Sequence, residues 1–362
     1  MTSIVHVVGA RPNYMKIAPL MRALEAFPTV RQVLVNTGQH YDALMADAVM
    51  RDLELPAATW NLGVGSGTHA VQTARVMTAF EEVCTAEQPD LVVVVGDVNS
   101  TLAAALVAAK LNIRVAHVEA GLRSFDRSMP EEVNRVVTDQ LSALLLTPSP
   151  DADANLAQEG IPADRIRRVG NIMLDPLLWA LPRATLDRLD PKLGLTPRGY
   201  GVLTLHRPSN VDDKETFASI PSAVATIARR VPIVFPVHPR TRQRLAAFDL
   251  GARIKGLTLV EPLGYLDFLA LVAHSRLVLT DSGGLQEETT ALGVPCLTLR
   301  ENTERPVTIT QGTNRLVGTR ASDIVAGFEA APSAPGNGPR PDLWDGQTAP
   351  RAARAIVELL QQ

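Results

Sequence analysis

The chain is poor in the residues that mark several large protein classes. Aromatic residues make up 4% of its 362 positions, too few for a platform on which single-stranded bases stack. Only two cysteines occur, Cys84 and Cys296. They lie far apart in apolar, helical surroundings, so buried free thiols in a reducing compartment are expected rather than a disulfide framework. A formal charge of −3 and a pI near 6.2 supply no field for nucleic acid or an anionic membrane. The short basic groups at 165–168 and 240–242 read as solvated faces. No basic leader or long apolar run precedes the strand pattern Ser3-Ile4-Val5-His6-Val7-Val8. The expectation is a soluble, cytoplasmic protein with no membrane partner. His-x-x-x-His and Cys-x-x-Cys spacings are missing, which argues against a zinc site. A Walker A sequence is missing too, and the run Gly63-Val64-Gly65-Ser66-Gly67 does not follow the first strand as a dinucleotide fingerprint requires.

What the chain has in abundance is short Val/Ile/Leu runs alternating with longer amphipathic segments, the pattern of βαβ units around a parallel sheet. Strands are expected near Ile4–Val8, Val33–Asn36, Leu91–Val95, Val115–Val118 and Leu144–Thr147. The pattern restarts at Gly201–Leu205 and continues through Ile233–Pro236, Leu257–Val260, Leu277–Leu279 and Cys296–Leu299. The fold class is therefore α/β, with two doubly wound domains, and the length suits two cores rather than one. Domain boundaries are expected at 1–169 and 170–347, with a last helix, 348–362, packing back on the first domain. Pro182–Gly199, with three prolines among charged residues, suits a linker. Ala331–Pro341 is a second weakly patterned stretch.

Ligands of open α/β sheets bind beyond the carboxyl ends of the strands, so the residues after each apolar run are the ones that matter. Thr280-Asp281-Ser282-Gly283-Gly284-Leu285-Gln286-Glu287-Glu288 forms a strand end, a tight turn and a helix start. Ser282, Gly283 and Gly284 offer backbone N–H groups at the positive end of a helix, where a diphosphate is favoured. Glu288, one turn on, could accept hydrogen bonds from a diol. The same residues also suit a plain helix terminus capped by Asp281 or Ser282. Asp97 and Glu119 end two neighbouring strands, and paired carboxylates are what general acid/base chemistry needs. Asp97 could alternatively cap the helix starting near Ser100. Glu131 opens a helix after Pro130, where an acid also answers the helix dipole. Arg11 and Lys16 follow the first strand, and Asn134 and Arg135 lie on the first turns of the helix at Pro130; cations here can hold phosphate or neutralise a leaving group. His206 and His238 stand at strand ends, where a histidine is catalytic or simply hydrogen-bonded.

Together these stretches resemble the UDP-N-acetylglucosamine 2-epimerase family over nearly the whole chain. The resemblance rests on Gly9-Ala10-Arg11-Pro12 with Lys16, Thr37-Gly38-Gln39-His40, Gly96-Asp97, His117-Val118-Glu119-Ala120-Gly121-Leu122-Arg123, and Pro130-Glu131-Glu132-Val133-Asn134-Arg135. Gly170-Asn171, His206-Arg207, Asp281–Glu288 and Thr303-Glu304-Arg305-Pro306 complete it. It implies the GT-B arrangement, two Rossmann-like domains facing across a cleft that holds the active site. It also implies a route in which a proton leaves sugar carbon 2 as UDP leaves carbon 1, and the resulting 2-acetamidoglucal takes UDP back with a proton on the opposite face. No cofactor and no metal are required on that route, and a homodimer is implied. By the resemblance, Asp97, Glu119 and Glu131 are acid/base carboxylates and His206 is the essential histidine near the diphosphate. Arg11, Lys16, Arg135, Ser282, Gly283, Gly284, Glu288 and Arg305 hold UDP or the sugar, Phe268 falls near uracil, and His238 joins the substrate-binding set as a second strand-end histidine.

Two positions depart from the activator-dependent bacterial members, which usually read His-Arg-Arg-Glu where this chain has His206-Arg207-Pro208-Ser209 and carry a longer polar residue in place of Asp42. An enzyme without an allosteric UDP-N-acetylglucosamine site is therefore expected. The rival readings are a hydrolysing relative that releases free N-acetylmannosamine, an epimerase of a related UDP-sugar, a GT-B glycosyltransferase, and a non-catalytic nucleotide-sugar-binding protein.

Overall fold

A computed structural model describes residues 1–38, 54–332 and 340–362. The described residues form two compact units: Met1–Pro176 with Asp342–Gln362, and Leu177–Pro341. The chain leaves the first unit seven residues beyond 169 and re-enters it at Asp342, six residues ahead of the last helix. The reason is local. Asp175 accepts hydrogen bonds from the N–H groups of Thr348 and Ala349 at 3.2 and 2.7 Å, and the Trp344 indole donates to the Pro148 carbonyl, so both crossings are tied into the first unit.

The first unit holds a seven-stranded sheet: β1 (Thr2–Val8), β2 (Val30–Asn36), β3 (Trp60–Asn61), β4 (Leu91–Val95), β5 (Arg114–Val118), β6 (Leu144–Thr147) and β7 (Ile166–Arg168). Their spatial order is β3-β2-β1-β4-β5-β6-β7, all parallel. The second unit repeats the plan with β8 (Gly201–Thr204), β9 (Ile233–Pro236), β10 (Thr258–Val260), β11 (Leu277–Thr280), β12 (Cys296–Thr298) and β13 (Asn314–Leu316), in the order β10-β9-β8-β11-β12-β13. Its pairings are parallel as well.

The central strands are covered on both faces, and their composition is the cause. Every residue of β4, Leu91-Val92-Val93-Val94-Val95, is buried, and each such side chain taken from water is worth about 1.5–3 kcal/mol. A run of β-branched residues with no polar alternation is stable only where helices cover both sides. The edge strands β3, β7 and β13 are two or three residues long and largely polar or exposed, which is why no apolar run announces them. Within the basic stretch 165–168, read from the sequence as a solvated face, Ile166–Arg168 exposes both arginines but pairs with β6 through its backbone.

Pro182–Gly199 is not a free linker. Its prolines and leucines form three short 3₁₀ turns, and Leu189 is buried among Tyr200, Val202 and Leu271 with Leu186, Leu193 and Leu195 packed alongside. Cys84 and Cys296 are free and buried. Among the described residues no helix is long and apolar enough to cross a membrane.

Candidate active site

In both sheets the strand order reverses at one place, between β1 and β4 and between β8 and β11. Loops diverge there, leaving the carboxyl ends of these strands open to a ligand. The polar residues sort accordingly.

In the first unit, β1 runs into the helix Arg11–Leu24, which carries Lys16. Asn13 fastens the turn: its side-chain oxygen accepts from the Gly9 and Ala10 N–H groups at 3.0 Å each, and its amide donates to the Val95 carbonyl at the end of β4. Lys16 is buried and its Nζ is ion-paired with Glu119 at the end of β5. Glu119 holds φ +70°, a left-handed conformation that costs a non-glycine residue about 1–3 kcal/mol and is retained where the surroundings over-determine it. Its N–H and that of Ala120 both donate to the Leu146 carbonyl, which fixes the turn. Asp97, after β4, is paired with Arg135 of the helix Pro130–Leu141 at 2.9 Å, and Asn134 donates to the Asp97 carbonyl at 2.9 Å.

The helix Asn99–Lys110 follows directly after the Asp97 turn, with Val98 at its N-cap. Arg135 is further held by Glu132 at 2.5 Å. Burial pushes Glu132 up, yet the N–H groups of Ser124 and Phe125 and the Arg135 charge outweigh it and leave its carboxyl below the usual range. Glu131, on the same helix, is half-buried.

In the second unit the site is organised by Asp281, which is fully buried at the end of β11. It accepts from the His206 N–H at 3.0 Å, the Arg207 N–H at 2.9 Å, the Asn210 side-chain amide at 3.3 Å and His206 Nδ1 at 2.8 Å. Burial raises its pKa, but the His206 ring and these donors prevail and hold the carboxyl below the ordinary aspartate value. Asp281 thus serves β8, not the helix that follows it. The helix Gly283–Leu292 has Ser282 at its N-cap without a side-chain cap bond, and the Ser282 N–H donates to Thr280 Oγ1. Gly283 and Gly284 occupy the first turn, where α-helix geometry supplies no intrahelical acceptor for their N–H groups. Gly283 leaves room for the neighbouring charges, since a Cβ there would lie 2.6 Å from Glu304 Oε1 and 3.1 Å from Arg305 Nη1 and would displace them.

Arg305 is buried and reaches Glu287 at 2.9 Å and Glu304 at 2.8 Å, while Arg300 takes the other Glu304 oxygen at 2.9 Å. Burial raises the Glu304 pKa, but Arg305, Arg300 and Arg207 overcome it and bring it to about 2. Gln286 bridges this cluster to the helix, accepting from Thr303 at 2.7 Å and from Asn314 at 3.1 Å.

The structure therefore brings Lys16 against Glu119, Arg135 against Asp97, and His206 against Asp281, with Ser282, Gly283 and Arg305 at the neighbouring turn. Glu288 is half-buried on the second turn of that helix. His206 and His238 have ring centroids 6.3 Å apart. His238 is also the N-cap of the helix Pro239–Ala247, accepting from the Arg240 N–H; burial, then the neighbouring charges of His206 and Arg240, hold its pKa below the usual value. Phe268, on the helix Tyr265–Ala273, is half-buried and packs on the core with Leu263 and Val260. Arg11 begins its helix, and its side chain, like Gln39, His40 and Asp42, lies outside the described residues. The sequence reading did not assign Asp281 as the partner of His206, nor Asp139 and Asn210 as polar anchors. The adjacency of β8 and β11, whose paired residues are 76 apart in sequence, carries no local signal. Among the described residues no three or more His, Cys, Asp or Glu side chains are grouped to hold a metal.

Comparison with known proteins bears on this geometry. The family model for UDP-N-acetylglucosamine 2-epimerase matches residues 22–357. The UDP-N-acetylglucosamine 2-epimerase of Methanocaldococcus jannaschii is 42% identical over 97% of this chain and 98% of its own. Its crystal structure in complex with UDP-GlcNAc and UDP superposes with a TM-score of 0.87 at 40% identity, covering 99% of this chain and 100% of that one. A UDP-2,3-diacetamido-2,3-dideoxy-D-glucuronate 2-epimerase of Pseudomonas aeruginosa is 39% identical over 98% of this chain and 99% of its own. The two doubly wound units are those of the GT-B fold class, and the chain belongs to the UDP-N-acetylglucosamine 2-epimerase family.

Proposed function

We propose that this enzyme interconverts UDP-N-acetylglucosamine and UDP-N-acetylmannosamine by elimination and re-addition of UDP. The observation that carries the reading is the pair of carboxylates at adjacent strand ends, Asp97 and Glu119, each set against its own cation, Arg135 and Lys16. Such an arrangement suits proton transfer at carbon 2 coupled to departure of an anion from carbon 1. A carboxylate takes the carbon 2 proton, the electron pair of that C–H bond forms the C1–C2 double bond, and the bond from C1 to the UDP oxygen breaks. A diphosphate is a good leaving group only if its growing charge is met, which is the task of preorganised donors and cations. His206, held by Asp281, together with the Ser282–Gly284 turn, Arg305 and Arg11 supplies them. Re-addition forms the C1–O bond while a second carboxyl returns a proton to the other face of carbon 2. Glu131, half-buried on the helix that also carries Arg135, is assigned with Asp97 and Glu119 to the acid/base set, and Glu288 is assigned to the ribose diol. Phe268 and His238 complete the substrate-binding set. A cytoplasmic homodimer that works without an allosteric activator completes the proposal.

The Pseudomonas relative favours a second reading, in which the sugar carries a carboxylate and a further acetamido group. The test is proton NMR of purified enzyme in deuterated water with each of the two UDP-sugars. Deuterium at carbon 2 and growth of UDP-N-acetylmannosamine to equilibrium support the first reading. Turnover of only the diacetamido uronate sugar replaces it with the second. Free N-acetylmannosamine makes the enzyme a hydrolase, and an undeuterated, unchanged substrate in both tubes overturns the proton-transfer assignment.

A further inference from the structure

The catalytic reading requires two turns, one after β4 and one after β5, to hold Asp97 and Glu119 at a fixed separation. Backbone pairing supplies little of this beyond the strands, since the last ladder bond between them is from the Gly96 N–H to the Val118 carbonyl at 3.1 Å. One side chain spans both turns. His117 lies on β5 opposite Val94 and is fully buried. Its Nε2 is 2.8 Å from the carbonyl of Gly96, the residue immediately before Asp97. Its Nδ1 is 2.6 Å from Asp139 Oδ1, and the other Asp139 oxygen accepts from the N–H of Gly121, two residues after Glu119, at 3.1 Å.

Hydrogen-bond chemistry settles what the ring must be doing. A carbonyl oxygen only accepts, so Nε2 carries a hydrogen. Asp139 is fully buried, and burial pushes its pKa up, but the adjacent His117 ring and then Arg123, 2.7 Å away and itself gripping Glu159 through two 2.7 Å bonds, hold its carboxyl below the ordinary range. Asp139 Oδ2 is engaged by the Arg123 guanidinium and the Gly121 N–H, as a carboxylate is, and a carboxylate only accepts, so the geometry puts a hydrogen on Nδ1 as well. The ring is a two-sided donor clamped between two turns in a site without solvent, where a satisfied network is rigid.

We propose that His117, acting with Asp139, is a positioning residue that sets the separation and orientation of the Asp97 and Glu119 turns. This rests on the reading of Asp97 and Glu119 as the groups that move the carbon 2 proton. His117 touches neither carboxylate of the reaction. It acts through the Gly96 carbonyl on one side and through Asp139 and the Gly121 N–H on the other.

The test uses two conservative variants, each keeping one half of the clamp. His117→Gln places an amide near the Nε2 position, toward Gly96; His117→Asn places one near the Nδ1 position, toward Asp139. Steady-state kinetics with UDP-N-acetylglucosamine, UDP binding by calorimetry and thermal unfolding are measured on both and on wild type. The expected result is a kcat lower by roughly 10- to 100-fold in each variant, as a misplacement of about 1 Å at the reacting atoms produces, with KM and UDP affinity within about threefold. Unchanged kcat in either variant, or a loss of kcat matched by equal loss of UDP affinity, overturns the proposal. Nitrogen-15 NMR of the wild-type imidazole at neutral pH needs no variant to fold: hydrogens on both His117 nitrogens support the clamp, and a single-tautomer neutral ring overturns it. The two readings fail separately. Absence of carbon 2 deuteration in wild type removes the proton-transfer assignment and this proposal with it, whereas deuteration in wild type with normal kcat in both variants removes only the clamp.

Discussion

Replacing Asp281 by Asn probes the second unit at its most concentrated point. The carboxylate accepts four hydrogens within 3.3 Å, from the His206 and Arg207 backbone, the Asn210 amide and the His206 ring. Asparagine keeps the shape but turns one acceptor oxygen into a two-hydrogen donor aimed at donors. At least one buried N–H then loses its acceptor, at about 1–3 kcal/mol, and the charge-assisted bond to the ring is lost, at about 1.5–3 kcal/mol. Unfolding free energy should therefore fall by about 3–5 kcal/mol. The His206 ring also loses the acceptor at its Nδ1, so the tautomer presented by its other nitrogen is no longer fixed.

We expect kcat of the D281N enzyme to fall by roughly 10- to 100-fold, as loss of an orienting partner does in other sites. Urea titration and steady-state kinetics of wild type, D281N, His206→Ala and the double variant close a thermodynamic cycle. A coupling of about 1.5–3 kcal/mol between the two positions is expected from the ring's share of the bonds. A D281N enzyme with unchanged stability and kcat, or a coupling near zero, would refute the reasoning, because the four contacts would then carry no energy.

Three further outcomes follow from other parts of the molecule. Gly121 holds φ +80°, and a Cβ there would meet the Ala152 carbonyl oxygen at 2.5 Å, so Gly121→Ala should cost about 2–4 kcal/mol on denaturant unfolding; a cost under about 0.5 kcal/mol would show that the turn relaxes freely. Glu304 has a folded-state pKa of about 2 against an ordinary 4.5. A depressed carboxyl contributes stability that is full above pH 4.5 and is lost as pH falls toward 2, so stability should decline in that window, less steeply for Glu304→Gln. Equal slopes for the two proteins between pH 5 and 2 would exclude Glu304 as a source. Lys16→Met removes the cation from the buried Glu119 and should lower kcat by at least about tenfold at pH 7.5; an unaltered kcat would show that the Lys16–Glu119 pair has no part in turnover.

The central strands were legible because burial on both faces demands an unbroken apolar run, and Leu91–Val95 or Leu277–Leu279 could be little else. The residues after those runs could be collected as site candidates without a structure, since chain direction alone puts Gly96-Asp97, Glu119 and Ser282-Gly283-Gly284 at the carboxyl ends. The short edge strands β3, β7 and β13 stayed invisible because two or three residues, with one apolar side chain each, show no periodicity, and pairing is decided by the neighbouring backbone. The leucines of 186–195 carried a weak apolar signal beneath prolines and charges, which is why a packed segment looked like a linker. Which polar group serves which could not be read from order along the chain. Asp281 looked like a helix cap, and only the pairing of β11 with β8 brings it under His206; His117 looked like a motif residue, and only the crossing of the helix Pro130–Leu141 places Asp139 against it. Sequence alone determined the layers, the strand directions and the ends at which chemistry can occur, because those follow from local hydrophobic pattern. Tertiary structure decided the partners of each buried charge, because desolvation makes such a group depend on residues tens of positions away.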